Sequence, residues 1–128
     1  MKPLKNIIVA LDYENRDEAF RLIDSLGERI NLYKIGPVLY TRSGPEVISY
    51  LHQKRKQIFV DLKLHDTPQV VYGTIKQLAE MGVSFATVHC LGGTKMLEAA
   101  SRGCRNSKLN LLGITLLTSF DPQEAAQW

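Results

Sequence analysis

Short, predominantly apolar runs alternate along this chain with longer stretches whose apolar residues recur every three or four positions. The runs are Asn6–Leu11, Leu32–Ile35, Gln57–Asp61, Ser84–His89 and Leu109–Leu117. Near-continuous apolar character of this length suits strands of a buried parallel sheet. The intervening stretches carry helical stripes. Ala19, Phe20, Ile23 and Leu26 line one face of Asn15–Leu26, and Gly27 stops it. Ser43-Gly44-Pro45-Glu46 has capping-box spacing, so a second helix is predicted to start there with Val47, Ile48 and Leu51 inward. Thr67-Pro68 opens a third, with Val71, Ile75, Leu78 and Ala79 inward and Gly82 beyond its end. Gly93 to about Gly103 forms a fourth around Met96, Leu97 and Ala100, and Asp121-Pro122 begins a fifth.

The resulting order is βαβαβαβαβ and then the start of a helix. Strict alternation predicts an α/β fold with a parallel sheet and right-handed crossovers, either doubly wound or a (β/α) barrel. No linker, composition shift or low-complexity tract interrupts residues 1–128, which read as a single domain.

Composition narrows the function classes. The chain is 45% hydrophobic and 23% charged, an ordinary globular balance. A net charge of +3, with no run of five basic residues, gives no footprint for nucleic acid. Lys54-Arg55-Lys56 reads as a solvated helix end, where cations suit the dipole. Cys90 and Cys104 lack metal-ligand spacing and do not suggest a disulfide scaffold, so a reduced, cytoplasmic setting is the expectation. Met1–Asn6 carries no signal-peptide pattern, and no apolar run reaches membrane-spanning length.

The polar residues say more. Asp12, Lys34, Asp61, Lys63, His89 and Thr118 fall at or just past the C-terminal ends of the predicted strands, the edge that carries active sites in both architectures. The first strand is followed by Asp12-Tyr13-Glu14-Asn15, without a glycine, which excludes a Rossmann or P-loop phosphate cradle at that turn. A ring of charged groups from successive strands fits a barrel better. Asp61 and Lys63 are two apart and project to one side if the strand continues that far. Such charges at the end of an apolar strand are costly unless they pair or do chemistry. Plainer roles exist for single residues: Asp12 beside a helix N-cap, Lys34 snorkelling, His65 and His89 as structural hydrogen-bonders, His52 on the surface, Cys90 in packing.

Taken together, these motifs resemble the orotidine 5′-phosphate decarboxylase family from about Ile7 to Asp121. The resemblance is carried by Ala10-Leu11-Asp12, by Tyr33-Lys34-Ile35-Gly36, and by the Asp-x-Lys-x-x-Asp signature Asp61, Lys63 and Asp66 followed by Thr67-Pro68. Thr87-Val88-His89 with Gly92-Gly93, and Leu116-Leu117-Thr118-Ser119, resemble the family's fourth and fifth strands. Hexulose-phosphate synthases share Asp-x-Lys-x-x-Asp; the His65-Asp66-Thr67-Pro68 continuation and the Lys34 context favour the decarboxylase.

The resemblance implies a (β/α)8 TIM barrel, of which this chain is the N-terminal portion with about five parallel strands. It implies conversion of orotidine 5′-phosphate to uridine 5′-phosphate and carbon dioxide in pyrimidine synthesis, with no cofactor and no metal. Lys63 is expected to donate the proton, Asp61 to face the departing carboxylate, and Lys34 to hold Asp61 and a ribose hydroxyl. Asp12 is expected on the ribose, Thr67 on the substrate, and Thr118 and Ser119 on the base. Asp66 is expected to enter the partner's site in a homodimer. Val70 stands where the family usually has a phosphate-binding threonine. The family's main phosphate grip, including an arginine and a glutamine, lies on the last three strands, so a truncated chain is expected to be a weak catalyst. The competing readings are a metal-dependent sugar-phosphate lyase or synthase of the same superfamily, and a non-catalytic half-barrel remnant or interaction module.

Overall fold

The computed structural model describes residues 2–128. Five strands form one sheet: β1 (Val9–Ala10), β2 (Leu32–Ile35), β3 (Gln57–Leu64), β4 (Phe85–His89) and β5 (Asn110–Ile114). Their spatial order is β1-β2-β3-β4-β5, and every pairing is parallel. Right-handed crossovers between sequential neighbours place all the connecting helices on one face. A doubly wound sheet would reverse its order at a switch point. This one never reverses, so it is the wall of a barrel.

The helices are α1 (Arg16–Leu26), α2 (Pro37–Gln53), α3 (Pro68–Glu80), α4 (Thr94–Gly103) and the short α5 (Pro122–Ala125). The core lies between helices and sheet. Tyr33, Ile35, Ile58, Val60, Ala86 and Val88 alternate along β2, β3 and β4 and are all buried. The other face is open along its edges: Ile8 is 50% exposed and Leu112 41%. On that face burial is confined to the middle of the sheet, at Phe59, Asp61 and Thr87, which departs from a sheet covered on both faces throughout.

Several boundaries differ from expectation. β1 holds two residues rather than all of Asn6–Leu11, although the Leu11 amide still donates to the Lys34 carbonyl at 2.8 Å. β5 stops at Ile114 instead of Leu117. Both are edge strands with a partner on one side only. β3, paired on both sides, runs beyond Asp61 to Leu64.

The second helix starts at Pro37, not at Ser43. Gly36 is its N-cap and Pro37 occupies the first turn, where a missing N–H costs nothing. Ser43 leaves helical geometry (φ −145°, ψ 24°), two residues before Pro45, so the supposed capping box is a kink within a longer helix. Glu46 pairs instead with Arg16 at 2.7 Å, tying α2 to α1. Of the other starts, Asn15 caps α1 by accepting from the Glu18 amide at 3.0 Å. Asp121 and Glu124 form a true capping box on α5. Gly103 lets α4 approach α3, since a Cβ there would lie 2.8 Å from the Tyr72 carbonyl oxygen.

The Lys54-Arg55-Lys56 end of α2 is solvated as expected, and it also braces α1: Lys54 meets Asp24 at 2.8 Å and Lys56 donates to the Gly27 carbonyl at 2.7 Å. His52 is at the surface, within 2.7 Å of the Met81 carbonyl. Cys90, expected in packing, is exposed, because it begins the turn Cys90–Gly92 that leaves the sheet. Among the described residues, no helix is long and apolar enough to cross a membrane.

Candidate active site

Asp61 is the one acidic or basic side chain buried among the described residues, at 7% exposure. It sits near the end of β3, flanked by β2 and β4. Three groups converge on it, one from each strand. Lys34 on β2 brings its Nζ to 3.4 Å from Oδ2. Lys63, two residues on, brings its Nζ to 3.0 Å from Oδ2 and 3.1 Å from Oδ1. Thr87 on β4 donates its hydroxyl to Oδ1 at 2.8 Å. Parity explains the convergence: Lys34 pairs in register with Phe59, and Asp61 lies two residues beyond Phe59 on the same face.

Opposing effects set the charge of Asp61. Burial is the largest single influence and raises its pKa. The Thr87 hydrogen bond, the Lys63 hydrogen bond and charge, and the Lys34 charge act the other way, and together they prevail. The carboxyl is held below its ordinary value, so at neutral pH the site is an anion clamped between two ammonium groups.

Lys63 is not on a regular strand. Its φ is 47°, in the left-handed region that lysine rarely adopts. The β3–β4 ladder slips here: Val60 pairs with Ala86 and Leu64 with Val88. Asp61, Leu62 and Lys63 therefore oppose Thr87 alone, a bulge of the kind that re-aims side chains beside active sites. The Lys63 amide donates to the Thr87 hydroxyl at 2.8 Å.

The other expected residues lie around this centre without joining it. Asp12 is exposed just beyond β1, and its carboxylate makes no ion pair or hydrogen bond among the described residues. It lies close to Gly36, where an added Cβ would stand 3.5 Å from Asp12 Oδ1. Asp66 is exposed and accepts from the Thr67 amide at 2.6 Å, and it does not reach Lys63 within the chain. Thr67 is the N-cap position of α3 without a side-chain cap bond, and Val70 is half exposed. Thr118 and Ser119 are exposed in a turn past β5. His65 stacks on His89, with ring centroids 5.2 Å apart. His89 Nδ1 accepts from the Leu91 amide at 3.3 Å, the structural role expected of it.

Beside these histidines, at the same rim, an apolar cavity of about 490 Å³ is lined by Leu91, Leu116, Phe120 and Trp128 among others. A cavity of about 650 Å³ opens at the opposite rim near Lys76, Arg102, Arg105 and Lys108. Arg102 lies in the last turn of α4, with Arg105 and Lys108 in the loop beyond, where they complement the helix dipole, and Lys76 pairs with Glu80 on α3. Among the described residues, no group of three or more His, Cys, Asp and Glu is placed to hold a metal ion.

Thr87 had no role assigned from sequence. The signal was present, since a hydroxyl in Phe85-Ala86-Thr87-Val88-His89 falls on the same face as His89 by strand parity. What could not be read was the slip that brings it opposite both Asp61 and Lys63.

Comparison with known proteins agrees with this fold. The family model described as Orotidine 5′-phosphate decarboxylase / HUMPS family matches residues 5–128. The orotidine 5′-phosphate decarboxylase of Baumannia cicadellinicola is 40% identical over 121 residues, covering 92% of this chain and 49% of that protein. That of Pseudomonas fluorescens is 39% identical over 123 residues, covering 94% and 53%. The crystal structure of orotidine 5′-phosphate decarboxylase from Lactobacillus acidophilus superposes with a TM-score of 0.83 at 36% identity, covering 98% of this chain and 58% of that one. The chain thus spans about half the length of the curated relatives it matches. The five parallel strands correspond to part of a TIM barrel, and the chain belongs to the orotidine 5′-phosphate decarboxylase / HUMPS family.

Proposed function

We propose that this chain carries the proton-donor half of an orotidine 5′-phosphate decarboxylase site, acting in cytoplasmic pyrimidine synthesis. The observation that carries the reading is the Lys34–Asp61–Lys63 array, with Asp61 buried, ionised and held from three strands. Alternating charges keep each group paired while leaving the array rigid before substrate arrives, which suits stabilisation of a carbanion-like transition state.

In this reading the substrate carboxylate lies against Asp61, and like-charge proximity is relieved as it departs. The bond from the pyrimidine carbon to the carboxylate breaks and its electron pair stays on the ring carbon. The Lys63 ammonium then delivers a proton to that carbon, giving uridine 5′-phosphate and carbon dioxide. No cofactor or metal enters the step. Lys34 holds Asp61 and a ribose hydroxyl, Asp12 the ribose, Thr67 the substrate, and Thr118 and Ser119 the base. Asp66, exposed and free to project outward, completes the site of a partner subunit in a homodimer.

The test is loss of orotidine 5′-phosphate ultraviolet absorbance, measured beside Lys63→Ala and with and without chelator. Turnover abolished in the variant and indifferent to chelator supports the reading. Turnover that survives Lys63→Ala overturns it, as does absence of both turnover and uridine 5′-phosphate binding. The second reading is a sugar-phosphate lyase or synthase, favoured by the breadth of the matching family. Chelator-sensitive turnover of a sugar phosphate supports it instead.

A further inference from the structure

We infer that Thr87 is the positioning residue for the Asp61–Lys63 pair: one buried hydroxyl fixes both the carboxylate and the backbone turn that aims the lysine. The side chain is 1% exposed. Its Oγ1 donates to Asp61 Oδ1 at 2.8 Å and accepts from the Lys63 amide at 2.8 Å. A hydroxyl offers one donor and two acceptor sites, so a single atom satisfies both neighbours.

The ladder slip makes this role necessary. In regular alternation the Lys63 amide, like the Gln57 amide that donates to the Asn31 carbonyl, would face β2, whose pairing ends at Ile35 opposite Val60; the slip turns it towards β4 instead. Three residues of β3 opposite one of β4 leave that amide without a ladder acceptor. An unpaired amide in a partly buried site is costly, and the Thr87 hydroxyl removes that cost. The same bond holds Lys63 at a φ of 47°, which turns its side chain back over Asp61. Asp61 is faced by Lys34 from β2, Lys63 from β3 and Thr87 from β4. Only Thr87 touches both members of the reacting pair without carrying charge.

Thr87→Val keeps volume and branching but removes the hydroxyl, whereas Thr87→Ser keeps the hydroxyl and loses a methyl. Two readouts do not depend on turnover. One is the Asp61 carboxyl titration by carbon NMR; the other is hydrogen exchange at the Lys63 amide. In Thr87→Val the Asp61 pKa is expected to rise, because a hydrogen bond to the charged form is gone while burial persists. Protection of the Lys63 amide is expected to fall about tenfold, the equivalent of one lost hydrogen bond. Thr87→Ser is expected to retain both wild-type values.

A packing role predicts the reverse order, with Val the milder change. Unchanged titration and exchange in Thr87→Val overturn the inference, and so does a Ser variant that behaves like Val. If the Val variant does not fold, the Ser variant carries the test alone: loss of either wild-type value there overturns the inference. Because neither readout needs substrate, failure here is separable from failure of the decarboxylase reading.

Discussion

The left-handed backbone at Lys63 yields a contrast whose sign is set by geometry. Replacing Lys63 by alanine or by glycine removes the same ammonium from Asp61, so the two variants share the electrostatic loss. They differ in what they do at φ 47°. A residue with a Cβ in the left-handed region carries a cost of roughly 1–2 kcal/mol that glycine avoids. Glycine also loosens the unfolded chain, which offsets about 0.4–1 kcal/mol of that gain. The net expectation is that Lys63→Gly is more stable than Lys63→Ala by about 0.5–1 kcal/mol, taking the difference of those two effects. Urea unfolding followed by circular dichroism reads this as a higher midpoint at unchanged slope.

Lys76 in α3 is the control. It is exposed within a regular helix, where glycine is expected to be less stable than alanine by about 1 kcal/mol. Opposite signs at the two lysines would tie the Lys63 result to backbone conformation. An alanine variant at Lys63 as stable as the glycine variant would refute the reasoning, because the strain would then be absent or relieved by the bulge. Strain of this kind persists only where surrounding structure over-determines it, and the Thr87 hydroxyl, the Asp61 contact and the β3–β4 pairing supply that surrounding structure here.

Two further outcomes follow from buried polar groups. Tyr33 is fully buried and its hydroxyl has no hydrogen-bond partner among the described residues, so Tyr33→Phe is expected to stabilise the chain by about 1 kcal/mol. A loss of stability on thermal or urea unfolding would count against that assignment. Asp61 has a folded pKa below its unfolded value, so its contribution is fully present above about pH 3.9, the ordinary aspartate value, and is lost as pH falls through the depressed one. Asp61→Asn is therefore expected to flatten the acid side of the stability profile, leaving the part that Asp24 supplies through Lys54 and Tyr50; an unchanged acid slope would show that Asp61 is not held low.

The winding order and the three-residue core of the site were legible in the sequence for specific reasons. Alternation of apolar runs with helical stripes fixes a parallel sheet, and the absence of glycine after the first strand removes the nucleotide-binding alternatives. Asp61 and Lys34 are placed by parity on regular strands, so their meeting needs only the register. Lys63 was expected beside Asp61 by the same two-residue spacing, yet it arrives there through a bulge and a positive φ. The pairing was right and the local path differed. In α2, Ser43-Gly44-Pro45-Glu46 carries a strong start signal that the fold uses as a kink. Gly36-Pro37 ahead of Val38, Leu39 and Tyr40 was the weaker signal that prevailed. Strand ends were overestimated at β1 and β5, where a single neighbour ends the ladder early, and underestimated at β3, where two neighbours extend it.

That difference between central and edge strands also organises the site. Lys34, Asp61, Lys63 and Thr87 stand on β2, β3 and β4, each hydrogen-bonded on both sides. Asp12 follows one edge strand, and Thr118 and Ser119 follow the other. The groups proposed to act on the reacting carbon thus occupy the part of the sheet whose backbone is clamped twice. Those proposed to hold the ribose and base occupy its margins. Preorganised electrostatics demands fixed geometry before substrate binds, whereas contacts to the rest of a ligand tolerate adjustment on binding. An edge strand left free to shift therefore weakens the binding contacts first, while the ion pairs around Asp61 persist as long as β2, β3 and β4 remain in register.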